Sequence, residues 1–238
     1  VPFGLQNIFH EIIQEQDILN SSVSTGADLL LLSSGATVQK SQLGGGSPIL
    51  RGFEANRILL VIDGVRMNNA IYRSGHLQNS LSVDPLVISA CDVIYGPGAV
   101  TYGSDAIGGV IHYKTKEPTL SHSDSSLWKT NFFSRAHSSN EEISNHIDIS
   151  YGRKNWAIIN SLSYKNFGNQ RMGENRIHGY TNWGYNNFSV NRENGLDTLL
   201  INEDSTDQKG FGYSQYDFLQ KLIFSPKNNF SIKINNQL

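Results

Sequence analysis

Five successive segments in the second half of the chain alternate apolar and polar residues, and that period of two limits what residues 119–238 can become. Residues 128–137 place Trp128, Phe132 and Ala136 on one face and Lys129, Asn131 and Arg135 on the other. Residues 143–151 set Ile143, Ile147, Ile149 and Tyr151 against Ser144, His146, Asp148 and Ser150. Residues 156–164 gather Trp156, Ile158, Leu162 and Tyr164 on one side. Residues 213–224 gather Tyr216, Phe218, Leu222 and Phe224 opposite Asp217 and Lys221. Residues 230–236 set Phe230, Ile232 and Ile234 against Ser231, Lys233 and Asn235. Side chains of a strand point alternately to opposite faces, so each segment reads as a strand with one apolar face.

The connections sharpen the reading. Gly152-Arg153-Lys154-Asn155 and Pro226-Lys227-Asn228-Asn229 are tight turns, whereas residues 167–209 form one long connection. Outer-membrane barrels have short periplasmic turns and long extracellular loops. If the chain enters from the periplasm, the long connection falls on an extracellular side and both tight turns on the periplasmic side. Trp128, Tyr151, Trp156 and Tyr164 stand at strand ends, where barrels carry aromatic girdles. A soluble β-sandwich also alternates, so a carbohydrate-binding or adhesive β protein stays open. That alternative requires the apolar faces to pack on one another.

Composition fits the barrel. Hydrophobic residues are 38% and charged residues 17%, both low, with Asn, Ser and 22 Gly filling the difference. No run of about 18 apolar residues exists, so no transmembrane helix is expected. A net charge of −2 gives no footprint for nucleic acid. The single cysteine, Cys91, excludes an internal disulfide and reads as a small buried strand residue. Val1-Pro2-Phe3 does not start a signal peptide, and one is expected to lie upstream or to have been removed.

Residues 1–117 have a different character, mixing helix and strand signals. Ile8 to Ile13 suggests a strand. Thr25-Gly26-Ala27-Asp28 has capping-box spacing, Leu29 to Leu32 continues the helix and Gly35 suits its end. Ala36 to Ser41 alternates, and Leu43-Gly44-Gly45-Gly46-Ser47-Pro48 reads as a flexible loop. Ile58 to Ile62 is a buried strand ended by the turn signal Asp63-Gly64, itself mainly structural. Val93 to Tyr95 and Gly109 to Lys114 are further strands. The glycines from Gly96 to Gly109 have the wrong spacing for a dinucleotide fingerprint and suit close backbone packing. The histidines lack metal spacing, the acids cluster in polar loops (Glu141-Glu142 and Glu203-Asp204), and no Gly-x-Ser-x-Gly elbow occurs. The expectation is a non-enzyme without cofactor or metal centre.

Three segments carry a family resemblance: Val38-Gln39-Lys40-Ser41, SPILRGFEANRILLVIDGVRMNNA at residues 47–70, and YGPGAVTYGSDAIGGVIHYKTK at residues 95–116. In this order, residues 28–118 resemble the plug domain of TonB-dependent outer-membrane receptors. Strand pattern and position extend the resemblance over residues 119–238. The implied fold is an α+β plug over residues 1–118, a small mixed sheet with short helices, and then the first antiparallel transmembrane β-barrel strands over residues 119–238. The barrel is expected to be incomplete in this chain, and residues 119–238 are not expected to fold stably alone, because open strand edges cost several kcal/mol per unsatisfied group in lipid.

The resemblance also implies a function. A barrel of about 22 strands is too wide for its own side chains to fill, so a plug occupies the lumen. Such receptors bind a scarce ligand at the extracellular face and import it when TonB, driven by the proton-motive force, engages a short upstream box. No such box stands in residues 1–20. A signalling receptor would need a further domain before the plug, for which residues 1–27 are too short. The expected partners are TonB, outer-membrane lipid and a small ligand: haem, a ferric siderophore, cobalamin or an oligosaccharide, with iron sources foremost. In Leu50-Arg51-Gly52-Phe53, Gly52 permits a tight turn, and Arg51 takes the position of the family arginine that pairs with barrel carboxylates. Many members carry Arg where this chain has Tyr95, so a second plug arginine is missing. Ligand-facing candidates are Gly45 with its neighbours and Tyr72, Arg73 and His76 in the plug. Arg176 and His178, near Arg171, Tyr180 and Trp183, are the candidates in the long loop. His76 and His178 would be the axial pair if the ligand is haem.

Overall fold

A computed structural model describes residues 9–238 apart from 41–43, 55–56, 68–82, 97–101, 104–105, 174, 176–178, 181–182 and 228. Residues 1–131, 148–162 and 217–238 form one compact unit, and residues 132–147 with 163–216 form a second.

The N-terminal part of the first unit is built on a five-stranded mixed sheet. Its strands are β1 (His10–Gln14), β5 (Ile58–Ile62), β6 (Val65–Arg66), β7 (Ile88–Tyr95) and β8 (Gly109–Thr115), in the order β1-β7-β8-β5-β6. β5 runs parallel to β8, pairing Leu60 with Ile111, and the other pairs are antiparallel. The apolar run of β5 is buried with Val93, Tyr95, Ile111 and Tyr113 from the neighbouring strands. Gly109 has a φ of +151°, and a Cβ there would come within 2.6 Å of the Ile94 carbonyl oxygen. That close approach is the backbone packing its sequence suggested.

A smaller sheet follows β2-β3-β4: β2 (Ala36–Gln39), β3 (Ser47–Leu50) and β4 (Phe53–Glu54). β3 takes in Ser47 and Pro48, which the sequence had suggested for a loop. The capping box is present: the Thr25 Oγ1 accepts the Asp28 N–H at 3.2 Å and Asp28 Oδ2 accepts the Thr25 N–H at 3.2 Å. The helix it starts, Gly26–Leu29, is only one turn long. It tightens into a 3-10 turn over Leu30–Leu32 that ends at Ser33 rather than Gly35, with the Ser33 N–H bonded to the Leu30 carbonyl. Another helix, Glu15–Ser21, was not legible in advance; the Gln14 N–H donates to Asp17 Oδ2 at 3.0 Å at its start.

The C-terminal strands are β9 (Leu127–His137), β10 (Glu142–Gly152), β11 (Trp156–Phe167), β16 (Tyr213–Lys227) and β17 (Phe230–Gln237), in the sheet order β17-β16-β11-β10-β9. All five match the alternating segments. Pro226 is accommodated because β16 shifts register between Phe224 and Lys227, a bulge that needs no donor there. The exposure is inverted relative to a soluble sheet. Ile143 is 52% exposed and the adjacent Ser144 is fully buried; Leu162 is 51% exposed and Ser163 fully buried. Asp148, Ser161, Lys165, Asp217 and Lys221 are buried as well, while Trp128, Ile149, Tyr216, Phe224 and Ile234 are exposed. A sandwich, which must bury its apolar faces, does not have this arrangement. Trp128, Tyr151 and Trp156 cluster at one end of their strands, edge-on and tilted, with ring centroids 4.6 and 5.2 Å apart.

In the second unit the long connection has structure of its own. β12 (Gln170–Arg171) pairs with β15 (Asp207–Gln208), and β13 (Phe188–Glu193) pairs with β14 (Leu196–Ile201). The inner hairpin turns at Asn194-Gly195, whose φ angles of +52° and +83° are those of the two-residue turn that Asn-Gly favours.

Candidate functional site

The residues that matter most for the first unit are charged groups on the N-terminal sheet and its exit, facing the inward sides of β10, β16 and β17. β5 and β6 are joined by a two-residue turn in which Asp63 and Gly64 have φ of +48° and +85°. The turn projects the Asp63 carboxylate. Its Oδ1 accepts the Thr115 N–H at 2.9 Å, and its Oδ2 accepts the Thr115 hydroxyl at 2.7 Å and the Asn235 amide at 2.9 Å. The Lys221 ammonium lies 2.9 Å from the same Oδ2 and 2.9 Å from Glu117 Oε1, and also donates to the Thr115 carbonyl. Lys233 holds the other oxygen of Glu117 at 3.2 Å. Lys116 is drawn to Asp148 at 2.5 Å and to Glu15 at 3.3 Å.

Burial opposes charge on Asp63, but the Thr115 hydrogen bonds and the Lys221 ammonium outweigh it and hold its pKa below the ordinary aspartate value. The Lys221 side chain is only 5% exposed, and these carboxylate partners offset the cost of burying it. Behind the turn, the Gly64 N–H donates to His112 Nε2 at 3.1 Å, and His112 Nδ1 lies 3.4 Å from the Tyr102 hydroxyl. Burial lowers the pKa of His112, which agrees with a neutral ring whose Nε2 accepts.

A second cluster ties the N-terminal strand down. Glu11 on β1 accepts the Ser33 hydroxyl at 2.7 Å, the Ser34 N–H at 2.8 Å and the Ser34 hydroxyl; the last of these contributes most to holding its pKa low. Arg51 and Gly52 form the turn between β3 and β4, with φ of +48° and +84°. The Arg51 guanidinium lies 4.6 Å from both the Phe9 and Tyr95 ring centroids. Tyr95 therefore gives Arg51 a π-face at the position where the family often has a second arginine, and its hydroxyl hydrogen-bonds with the Ser33 hydroxyl.

In the second unit, Glu142 is buried and takes both Nε (2.9 Å) and Nη2 (2.5 Å) of Arg135 on one oxygen, with the Ser144 hydroxyl at 2.7 Å. His137 Nδ1 lies 3.3 Å from the other oxygen. Among the described residues, no group of three or more His, Cys, Asp or Glu side chains is placed to hold a metal ion.

Gly45 is buried, and at the neighbouring Gly46 a Cβ would come within 2.5 Å of the Ala27 Cβ, so this stretch packs closely against the first turn of the capped helix. Tyr72, Arg73, His76, Arg176 and His178 lie outside the described residues. As site residues, Asp63, Thr115, Glu117, Lys221, Lys233 and Asn235 are not legible from the sequence, which marks Asp63 only as a turn residue and Lys221, Lys233 and Asn235 only as polar strand faces.

The TonB-dependent Receptor Plug Domain family matches residues 9–110. Residues 9–110 are thus a plug domain of the kind found in TonB-dependent receptors. The chain is 35% identical over 105 residues to a hemin receptor of Yersinia pestis, a match covering 44% of this chain and 15% of that receptor. It is 38% identical over 108 residues to the vitamin B12 transporter BtuB of Vibrio vulnificus, covering 44% of this chain and 17% of the transporter. The FrpB iron transporter of Neisseria meningitidis shares the fold over 98% of this chain and 31% of its own, with a TM-score of 0.69 at 15% identity. The chain thus spans about a third of that solved receptor. Its fold is that of a plug followed by the first barrel strands. The charge network accordingly joins Asp63 of the plug, with Lys116 and Glu117 just past the matched residues, to Lys221, Lys233, Asn235 and Asp148 of the barrel strands. The family consists of outer-membrane receptors, and the curated relatives are receptors and transporters rather than enzymes.

Proposed function

We propose that this chain is the N-terminal part of a receptor that imports a scarce ligand across the outer membrane, energised by the proton-motive force through TonB. One observation carries the reading: a plug-family segment stands in the same chain as strands whose apolar side chains face outward and whose charged side chains face inward. An outward apolar face suits lipid, and an inward polar face suits a lumen filled by a folded plug. We place the division between plug and barrel at Pro118, with the tight turns at 152–155 and 226–229 on the periplasmic side.

The ligand is an iron source, with haem first among the candidates because the plug is similar to that of a hemin receptor. Ferric siderophores come next, then cobalamin and oligosaccharides. The candidates for ligand contact are Tyr72, Arg73, His76 and Gly45 in the plug, and Arg176 and His178 in the long loop. His76 and His178 supply the two axial nitrogens in the haem case.

The test is to purify the complete receptor in detergent and titrate it with haem, following the Soret band. A saturable shift, lost in His76→Ala or His178→Ala, is the expected result. The absence of any shift removes haem and brings ferric siderophores forward. Growth on the identified ligand that is the same with and without TonB would contradict the energised mechanism.

A further inference from the structure

We infer that His112 is the positioning residue of the plug's contact with the barrel wall, and that its protonation releases that contact. The inference rests on the reading of the plug as seated inside the barrel. In a two-residue turn of the Asp63-Gly64 type, the N–H of the second turn residue has no partner within the hairpin. Here the Gly64 N–H donates to His112 Nε2 at 3.1 Å. The preceding residue of the same turn, Asp63, is the acceptor on which Thr115, Lys221 and Asn235 converge. The imidazole therefore fixes from behind the turn whose front side holds the barrel.

The arrangement dictates the tautomer. Nε2 can accept only while it carries no proton, so the ring proton sits on Nδ1 and points to the Tyr102 hydroxyl at 3.4 Å. A second proton on the ring converts the acceptor into a donor facing the Gly64 N–H. Two donors then oppose each other, and the turn must shift or the ring must leave. The groups that face His112 are known from each packed element. Asp92 is its cross-strand partner on β7 and is engaged by Lys114 at 2.5 Å on β8 itself. Asp63 stands on the β5–β6 turn, and Tyr102 lies between β7 and β8. Arg66 on β6 is bonded to the Tyr102 carbonyl. Asp92 and Asp63 attract a proton to the ring, whereas Lys114 and burial repel it. Release therefore belongs to the acidic side of neutrality.

Two measurements on the complete receptor test this. The first is ¹⁵N spectroscopy of the histidine ring nitrogens, which is expected to show His112 neutral with the proton on Nδ1 near neutral pH. A proton on Nε2 there overturns the inference. The second is zero-length carbodiimide cross-linking of Asp63 to Lys221, read by mass spectrometry. Loss of one neutral hydrogen bond is expected to lower the cross-link yield about two- to tenfold on going from about pH 8 to about pH 5. Yields are referred to those of His112→Gln at the same pH, whose amide oxygen can still accept at both, because carbodiimide coupling itself varies with pH; His112→Ala is expected to be low against that reference at both. A cross-link indifferent to pH and to His112 overturns the inference alone. A cross-link missing from the wild type at every pH overturns it together with the seated-plug reading.

Discussion

At the scale of single residues, the contact between plug and barrel strands depends on a few side chains that differ sharply in burial. Lys221 is nearly enclosed, and Asp63 is its partner with the most hydrogen bonds. Removing one member of a buried pair leaves the other uncompensated, at a cost of about 3–5 kcal/mol for a fully enclosed pair and less where water reaches the partner. Lys221→Ala is therefore expected to lower the receptor's thermal midpoint clearly, and Lys233→Ala, whose side chain is 62% exposed, hardly at all. Equal effects in a melting experiment would contradict the assigned hierarchy. The pH dependence follows from Asp63, whose pKa in the fold is held below its ordinary 3.8. In acid the unfolded chain takes up this proton first, so the stabilisation is complete above the ordinary value and is lost as pH falls through the lower, folded one. Asp63→Asn is expected to flatten this part of the acid limb in a comparison of melting at several pH values below 5. An unchanged acid limb would refute the role of Asp63.

At the scale of elements, the barrel strands were legible because a period of two is written directly into the residues. Where lipid lies outside, the apolar set stays exposed, and the pattern has the same period whichever side is buried; only the structure shows which. Leu162→Arg puts a charge on the outward face of β11 and is expected to cost about 2–4 kcal/mol if it lies near the bilayer midplane. Leu162→Phe should cost little. Refolding of both variants into lipid vesicles measures the difference, and equal stability would contradict the outward assignment. Shorter elements were harder to read. The Glu15–Ser21 helix has barely two turns and one buried residue, Ile18, so its periodicity is faint. The hairpin β13–β14 was hidden by treating residues 167–209 as one connection, although Asn194-Gly195 marks its turn. The charge network could not be read from spacing at all. Asp63 meets Asn235 across 172 residues, and Glu117 meets Lys221 across 104, so only the folded chain brings them together.

At the scale of the whole molecule, the two halves explain each other. The plug sheet buries its own core around Leu60, Val93, Ile111 and Tyr113, and Leu219 of a barrel strand joins that cluster. The barrel strands place polar and charged groups on the side where Asp63, Glu117 and Lys116 stand, and leave an apolar surface on the other. The arrangement is inside-out relative to a soluble sheet. It is tested most directly by placing single nitroxide labels at residues 159–164 of the complete receptor in lipid vesicles. Accessibility to apolar oxygen and to a water-soluble nickel complex is then compared at each position. Oxygen access is expected to alternate with a period of two, with maxima at positions 160, 162 and 164 and minima at 159, 161 and 163. No alternation, or maxima at the odd positions, would contradict it.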